Sequence, residues 1–144
     1  MKSSFITPLV TNLLIMLFAY TAFCNVLDTT RFSAVLSASP LIATGAGALA
    51  YAVAAVELAV VLLLILPRTR LMGLYASFVL LVLFTSYLGF LVRYAQQLPC
   101  SCCGLISPFP WKEHIVLNLG FLVLTGWALR REALAEQRIY FNSR

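Results

Sequence analysis

Residues 46–66 read AGALAYAVAAVELAVVLLLIL, an apolar run whose single charged side chain is Glu57. A transmembrane helix needs about 20 predominantly apolar residues, so this stretch is long enough to cross a bilayer. Its small residues Ala46, Ala50 and Ala54 recur every four positions, a stripe that lets another helix approach closely in lipid. Glu57 lies midway along the run. An ionised carboxylate in hydrocarbon is costly, which makes such a residue a candidate functional group. The plainer alternative is a hydrogen-bonded glutamate paired across a bundle with Asn12, Ser86, Tyr87 or Asn118. Gly45-Ala46-Gly47 has no third glycine and no strand before it, which excludes a dinucleotide-binding loop.

Outward from this run, the rest of the chain repeats the pattern. Pro67-Arg68-Thr69-Arg70 is a tight basic turn, and a further span is expected over about 71–92, ended by Arg93. Upstream, no charge occurs between Lys2 and Asp28, which predicts a span over about 6–26. Phe23 sits where a signal-peptidase site needs a small residue, so a retained helix is expected there. Downstream, a fourth span is expected over about 111–129, closed by Arg130-Arg131 and followed by an amphipathic tail, 130–144. Between the first two spans, Asp28-Thr29-Thr30-Arg31 supplies helix caps, and Phe32, Val35 and Leu36 recur at helical spacing before Pro40. A short amphipathic helix on the membrane surface is expected there.

Composition agrees. The chain is 62% hydrophobic and 10% charged, with a mean hydropathy of +0.95, whereas soluble domains carry roughly 25% charged residues. The net charge of +5 is scattered at the ends of apolar runs, with no basic stripe or aromatic platform, so a nucleic-acid partner is excluded. Lys2, Arg68, Arg70, Arg130, Arg131, Arg138 and Arg144 would share one side of the membrane, and Arg31, Arg93 and Lys112 the other. The positive-inside rule then places both termini in the cytoplasm. The fold class expected is all-α: one integral-membrane domain over 1–144, an antiparallel four-helix bundle with a short outer helix and an amphipathic tail.

Between the last two spans lies a thiol loop, 94–110, containing Leu98-Pro99-Cys100-Ser101-Cys102-Cys103-Gly104. On the topology above it faces outward, where thiols are readily taken to disulfides. Cys24, at the outer end of the first span, falls on the same side. Cys100-x-Cys102 and the adjacent Cys102-Cys103 close only small, strained rings, and strained disulfides are the labile kind. Cys100 and Cys103 also form a C-x-x-C pair. Lys112, His114 and the amino end of the last helix would favour a thiolate. Three outcomes stay open: exchange-active thiols, a static disulfide such as Cys24 to a loop cysteine, and a copper(I) site built from Cys100, Cys102, Cys103 and His114. His114 and Asn118, four apart, share a helix face with Trp111 near its start. His114 is placed either to move a proton during exchange or simply to cap a helix. Arg93 is expected to snorkel to the interface or to pair with a carboxylate or a loop thiolate.

Four spans, Val56-Glu57-Leu58, the loop Pro99-Cys100-Ser101-Cys102-Cys103-Gly104, and Trp111, His114 and Asn118 opening the last span together resemble the methylamine-utilisation MauE family. That family is grouped with DoxX-like membrane proteins and has a bundle similar to that of vitamin K epoxide reductase. The resemblance implies a bacterial inner-membrane protein acting with periplasmic thiol-redox partners, and supporting the maturation, processing or export of a cysteine-rich client such as the methylamine dehydrogenase β-subunit. It implies Cys100 and Cys102 as the exchanging pair and His114 as the helix-opening histidine; beside these, Cys103 stands as an alternative resolving thiol and Cys24 as a candidate relay. A thiol–disulfide oxidoreductase is the enzyme class implied, and a quinone, if one binds, would sit near Glu57 and Asn118. Cys103 departs from the family pattern, which expects an aromatic or small residue before the glycine. A non-catalytic assembly factor with a structural disulfide and a copper(I)-handling protein are the competing functions.

Overall fold

The computed structural model describes residues 5–37, 43–94 and 111–142. Among these the chain is helical throughout: α1 (Ile6–Leu27), α2 (Thr29–Ser37), a 3-10 turn (Ala43–Gly45), α3 (Ala46–Ile65), α4 (Arg70–Tyr94) and α5 (Trp111–Asn142). Cys100, Cys102 and Cys103 lie outside the described residues, as does Pro40.

Helices α1, α3 and α4, of 22, 20 and 25 residues, are each long and apolar enough to cross a membrane. Their ends follow from local chemistry. Pro8 falls in the first turn of α1, where its missing N–H leaves no bond unmade. Pro67 ends α3, and Leu66 before it is extended with φ −79° and ψ 118°, as the ring of a following proline requires. The Asp28 carboxylate caps α2 by accepting from the Arg31 amide at 3.2 Å, and the same side chain pairs with the Arg31 guanidinium at 3.1 Å.

The long helices pack α1 on α3, α3 on α4, α4 on α5, and α5 back on α1. One core joins them: Val10, Leu14 and Phe18 of α1, Val60, Val61 and Leu64 of α3, Leu74 and Leu81 of α4, and Ala128 and Leu129 of α5. The α3–α4 turn is tight because Gly73 has no side chain. A Cβ there would stand 2.9 Å from the backbone nitrogen of Leu64. Hydrocarbon offers no water to polar groups, and three buried hydroxyls find a carbonyl one turn back: Thr11 on Thr7, Ser77 on Gly73 and Thr125 on Phe121, at 2.8, 2.7 and 2.6 Å. Outward faces carry exposed Leu13, Met16, Leu58, Leu62, Leu83 and Val123, a hydrocarbon surface that suits lipid contact.

Helix α5 runs unbroken from Trp111 past Arg130-Arg131, where the fourth span is expected to close, to Asn142, so the expected tail continues the same helix. No glycine or proline interrupts 127–142, and its Ala, Leu, Glu, Gln and Arg residues are strong helix formers. The short helix α2 forms where expected, yet its apolar face is not turned to lipid. Leu36, with Phe32 beside it, packs on Ala46 and Ala50 of α3 and on Tyr87 of α4. The Tyr87 hydroxyl donates to the backbone carbonyls of Val35 and Leu36, at 3.0 and 3.2 Å, and so fastens the end of α2 to α4.

Candidate functional site: a cavity beneath α2

The alanine stripe of α3 continues directly into the site. Ala46, Ala50, Ala54, Glu57, Val60, Val61 and Leu64 are all buried, so Glu57 shares the face on which α1 and α2 approach most closely. Its side chain is 1% exposed. Thr21 Oγ1 donates to Oε1 at 3.0 Å and Asn25 Nδ2 donates to Oε2 at 3.2 Å, so both carboxylate oxygens are occupied from one helix. Thr21 and Asn25 are four apart on α1 and therefore reach across together. The expected partners Asn12, Ser86, Tyr87 and Asn118 are not the ones used. Asn12 and Ser86 are exposed, Tyr87 is committed to α2, and Asn118 stands on the cavity wall.

Above this cluster lies a cavity of about 200 Å³. Leu17, Phe84, Leu88 and Leu117 form apolar walls, Phe32, Val35 and Leu36 of α2 form a roof, and Thr21, Cys24, Asn25, Glu57, His114 and Asn118 contribute the polar surface. Asp28 and Arg31 lie at its edge. Cys24 is a buried free thiol on that wall. His114 and Asn118 share a face as their spacing requires, and both line the same cavity. Four residues singled out in the sequence (Cys24, Glu57, His114 and Asn118) are therefore brought to one place. Thr21 and Asn25 were missed. Their signal was there in Thr21-x-x-Cys24-Asn25, a polar face at the end of an otherwise apolar span.

Tyr87 and Leu88 near the end of α4, and His114 near the start of α5, both line the cavity. The chain thus enters and leaves residues 95–110 at the cavity end of the bundle. Arg93 lies exposed in the last turn of α4, where a cation favours the carbonyl end of the helix. Among the described residues no group of three or more His, Cys, Asp and Glu is placed to hold a metal ion. The copper(I) alternative rests on Cys100, Cys102 and Cys103, outside those residues.

Three membrane-length apolar helices with exposed hydrocarbon side chains define a helical integral-membrane protein. The family model described as methylamine utilisation protein MauE matches residues 3–131, and the chain belongs to that family. No curated protein and no solved structure matches it.

Proposed function

We propose that the protein is an inner-membrane thiol–disulfide redox protein that serves a cysteine-rich periplasmic client, as its family membership suggests. In this arrangement α5 supplies a fourth span. Residues 114–129 carry no acidic or basic residue apart from His114, and α5 packs against both α4 and α1. The four spans alternate in direction, with both termini cytoplasmic and residues 95–110 in the periplasm.

The observation that carries the proposal is that Cys24 and His114 line one cavity, at the end of the bundle where the chain runs into Cys100, Cys102 and Cys103. In exchange, the thiolate of Cys100 or Cys102 attacks a client disulfide and forms a mixed disulfide. The second loop thiolate then displaces the client. The loop ends as a disulfide and the client as two thiols, with the reverse flow available to the oxidised loop. Cys103 serves as an alternative resolving thiol. Cys24 relays the exchange to the cavity, where His114 takes up or returns the proton. The cavity's apolar walls and the polar side chains of His114 and Asn118 fit a quinone ring, which when bound would supply two-electron, two-proton chemistry.

A bulky, membrane-impermeant maleimide applied to intact cells tests this on wild type and single Cys→Ser variants. Two loop cysteines that label only after mild reduction would place the segment outside with a reducible disulfide. Loss of client maturation in Cys100→Ser and Cys102→Ser would make that disulfide functional. Maturation that survives both substitutions would leave a non-catalytic assembly factor. Free labelling of all loop cysteines without reduction would favour metal handling, tested by copper analysis of the reduced, purified protein.

A further inference from the structure

The opposite end of the bundle carries a second concavity, unrelated to the thiols. Trp127, Arg130, Arg131, Leu134, Ala135 and Arg138 line a hollow of about 450 Å³ on α5. These positions are spaced by three and four, so they form one continuous helix face. The Arg131 guanidinium lies 4.7 Å from the centroid of the Trp127 ring, a cation held against an aromatic of the kind that settles at membrane interfaces. Among the described residues that line the hollow none is acidic, and Glu132 falls on the far side of the helix by its spacing.

The hollow starts where the apolar core stops. Ala128 and Leu129 are buried in the same cluster as Leu64 and Leu74, which flank the α3–α4 turn. Arg68 and Arg70 of that turn therefore stand at the same end of the bundle as Arg130 and Arg131. There, Arg70 Nε is shielded from solvent with no acceptor among the described residues. Along α5 the aromatic Trp127 comes first, next to the apolar core, and the cationic Arg130 and Arg131 follow within one turn, the order in which the glycerol level and the phosphate level are met on leaving a bilayer.

We propose that this face of α5 seats the phosphate-bearing headgroup of an anionic phospholipid, with Trp127 against the glycerol and upper acyl chain, Arg130 and Arg131 on the phosphate, and Arg138 adding positive charge on the water side of it. The site rests on α5 crossing the membrane; thiol exchange plays no part in it.

Native mass spectrometry of the full chain in neutral detergent, titrated with phosphatidylglycerol and separately with phosphatidylcholine, tests the site. Retention of phosphatidylglycerol over phosphatidylcholine is expected. With each basic residue near the surface adding attraction, the triple variant Arg130→Gln/Arg131→Gln/Arg138→Gln should hold it on the order of a hundredfold more weakly. Removing Arg31 and Arg93 at the other end should leave retention unchanged. Equal retention of both lipids by wild type overturns the proposal, and that comparison stands even if the triple variant does not fold. Wild-type retention by a folded triple variant overturns it too, as does full displacement of the lipid by inorganic phosphate, which would identify free phosphate as the ligand. Failure of α5 to span would appear separately, as a maleimide-accessible cysteine at position 134 on the same side as the loop thiols.

Discussion

The hydroxyl of Thr21 donates to Oε1 of Glu57 at 3.0 Å, joining α1 to α3 at the floor of the cavity. A buried acceptor or donor left without its partner costs about 1–3 kcal/mol, more than the net gain of the bond itself. Glu57→Ala strands Asn25 and leaves the Thr21 hydroxyl only the Phe18 carbonyl at 3.2 Å, and should lower the thermal midpoint in detergent well below that of Thr21→Val, which removes one donor. A double-mutant cycle of Thr21→Val with Glu57→Ala should show coupling of roughly 0.5–3 kcal/mol. Strictly additive costs would mean the contact contributes nothing.

Helix α2 roofs the cavity and is tied at its end by one hydroxyl, that of Tyr87. Tyr87→Phe keeps the ring against Leu36 and removes only the bonds to the Val35 and Leu36 carbonyls. A typical net loss of about 1 kcal/mol raises the population of opened α2 roughly fivefold. The rate at which N-ethylmaleimide modifies the buried Cys24 should rise in proportion, followed by mass spectrometry. An unchanged rate would show that apolar packing alone holds α2.

Two glycines of α4 make a matched pair. Gly73→Ala sets a Cβ against the Leu64 backbone at 2.9 Å, where nothing flexible can yield, whereas Gly89 has nothing within 4 Å of the same position. Overpacking of this kind costs about 1–3 kcal/mol. Gly73→Ala should therefore lower the unfolding midpoint and Gly89→Ala should not. Equal midpoints would contradict so close an approach of α3 and α4.

Cys24 distinguishes a relay from a packed thiol. Serine and alanine both abolish exchange, but alanine is tolerated where a small apolar group is all that the site requires. If Cys24 relays, Cys24→Ala and Cys24→Ser should both stop client maturation while the protein remains folded and membrane-inserted. Normal maturation in Cys24→Ala, measured by the client's disulfide content, would remove Cys24 from the pathway.

The helices were legible because their signals are local. Long uncharged runs, Pro67 after α3, the Asp28 cap and the four-residue alanine spacing each act within a turn or two of themselves, so the ends of α1, α3 and α4 fall within two residues of expectation. Helix α5 continues past Arg130-Arg131 to Asn142, since a pair of charges can close an apolar run without ending the helix. Charge alone does not break a helix when the following residues favour one. Four of the candidate site residues were also found by type, since Glu57, Cys24, His114 and Asn118 are conspicuous in so apolar a chain.

Their partners were not legible, for a different physical reason. A hydrogen bond between α1 and α3 depends on how the two helices are rotated and slid against each other, and many registers bring some polar residue near Glu57. The close packing of Ala46, Ala50 and Ala54 selects one register, and in it Thr21 and Asn25 meet the carboxylate. By itself the sequence determined an all-helical membrane protein with a carboxylate inside one of its apolar helices. Only the tertiary structure decided that α2 covers a cavity, that Tyr87 fastens it, and that Glu57 is held by Thr21 and Asn25. Those outcomes follow from side-chain shape across interfaces, which no spacing along the chain records.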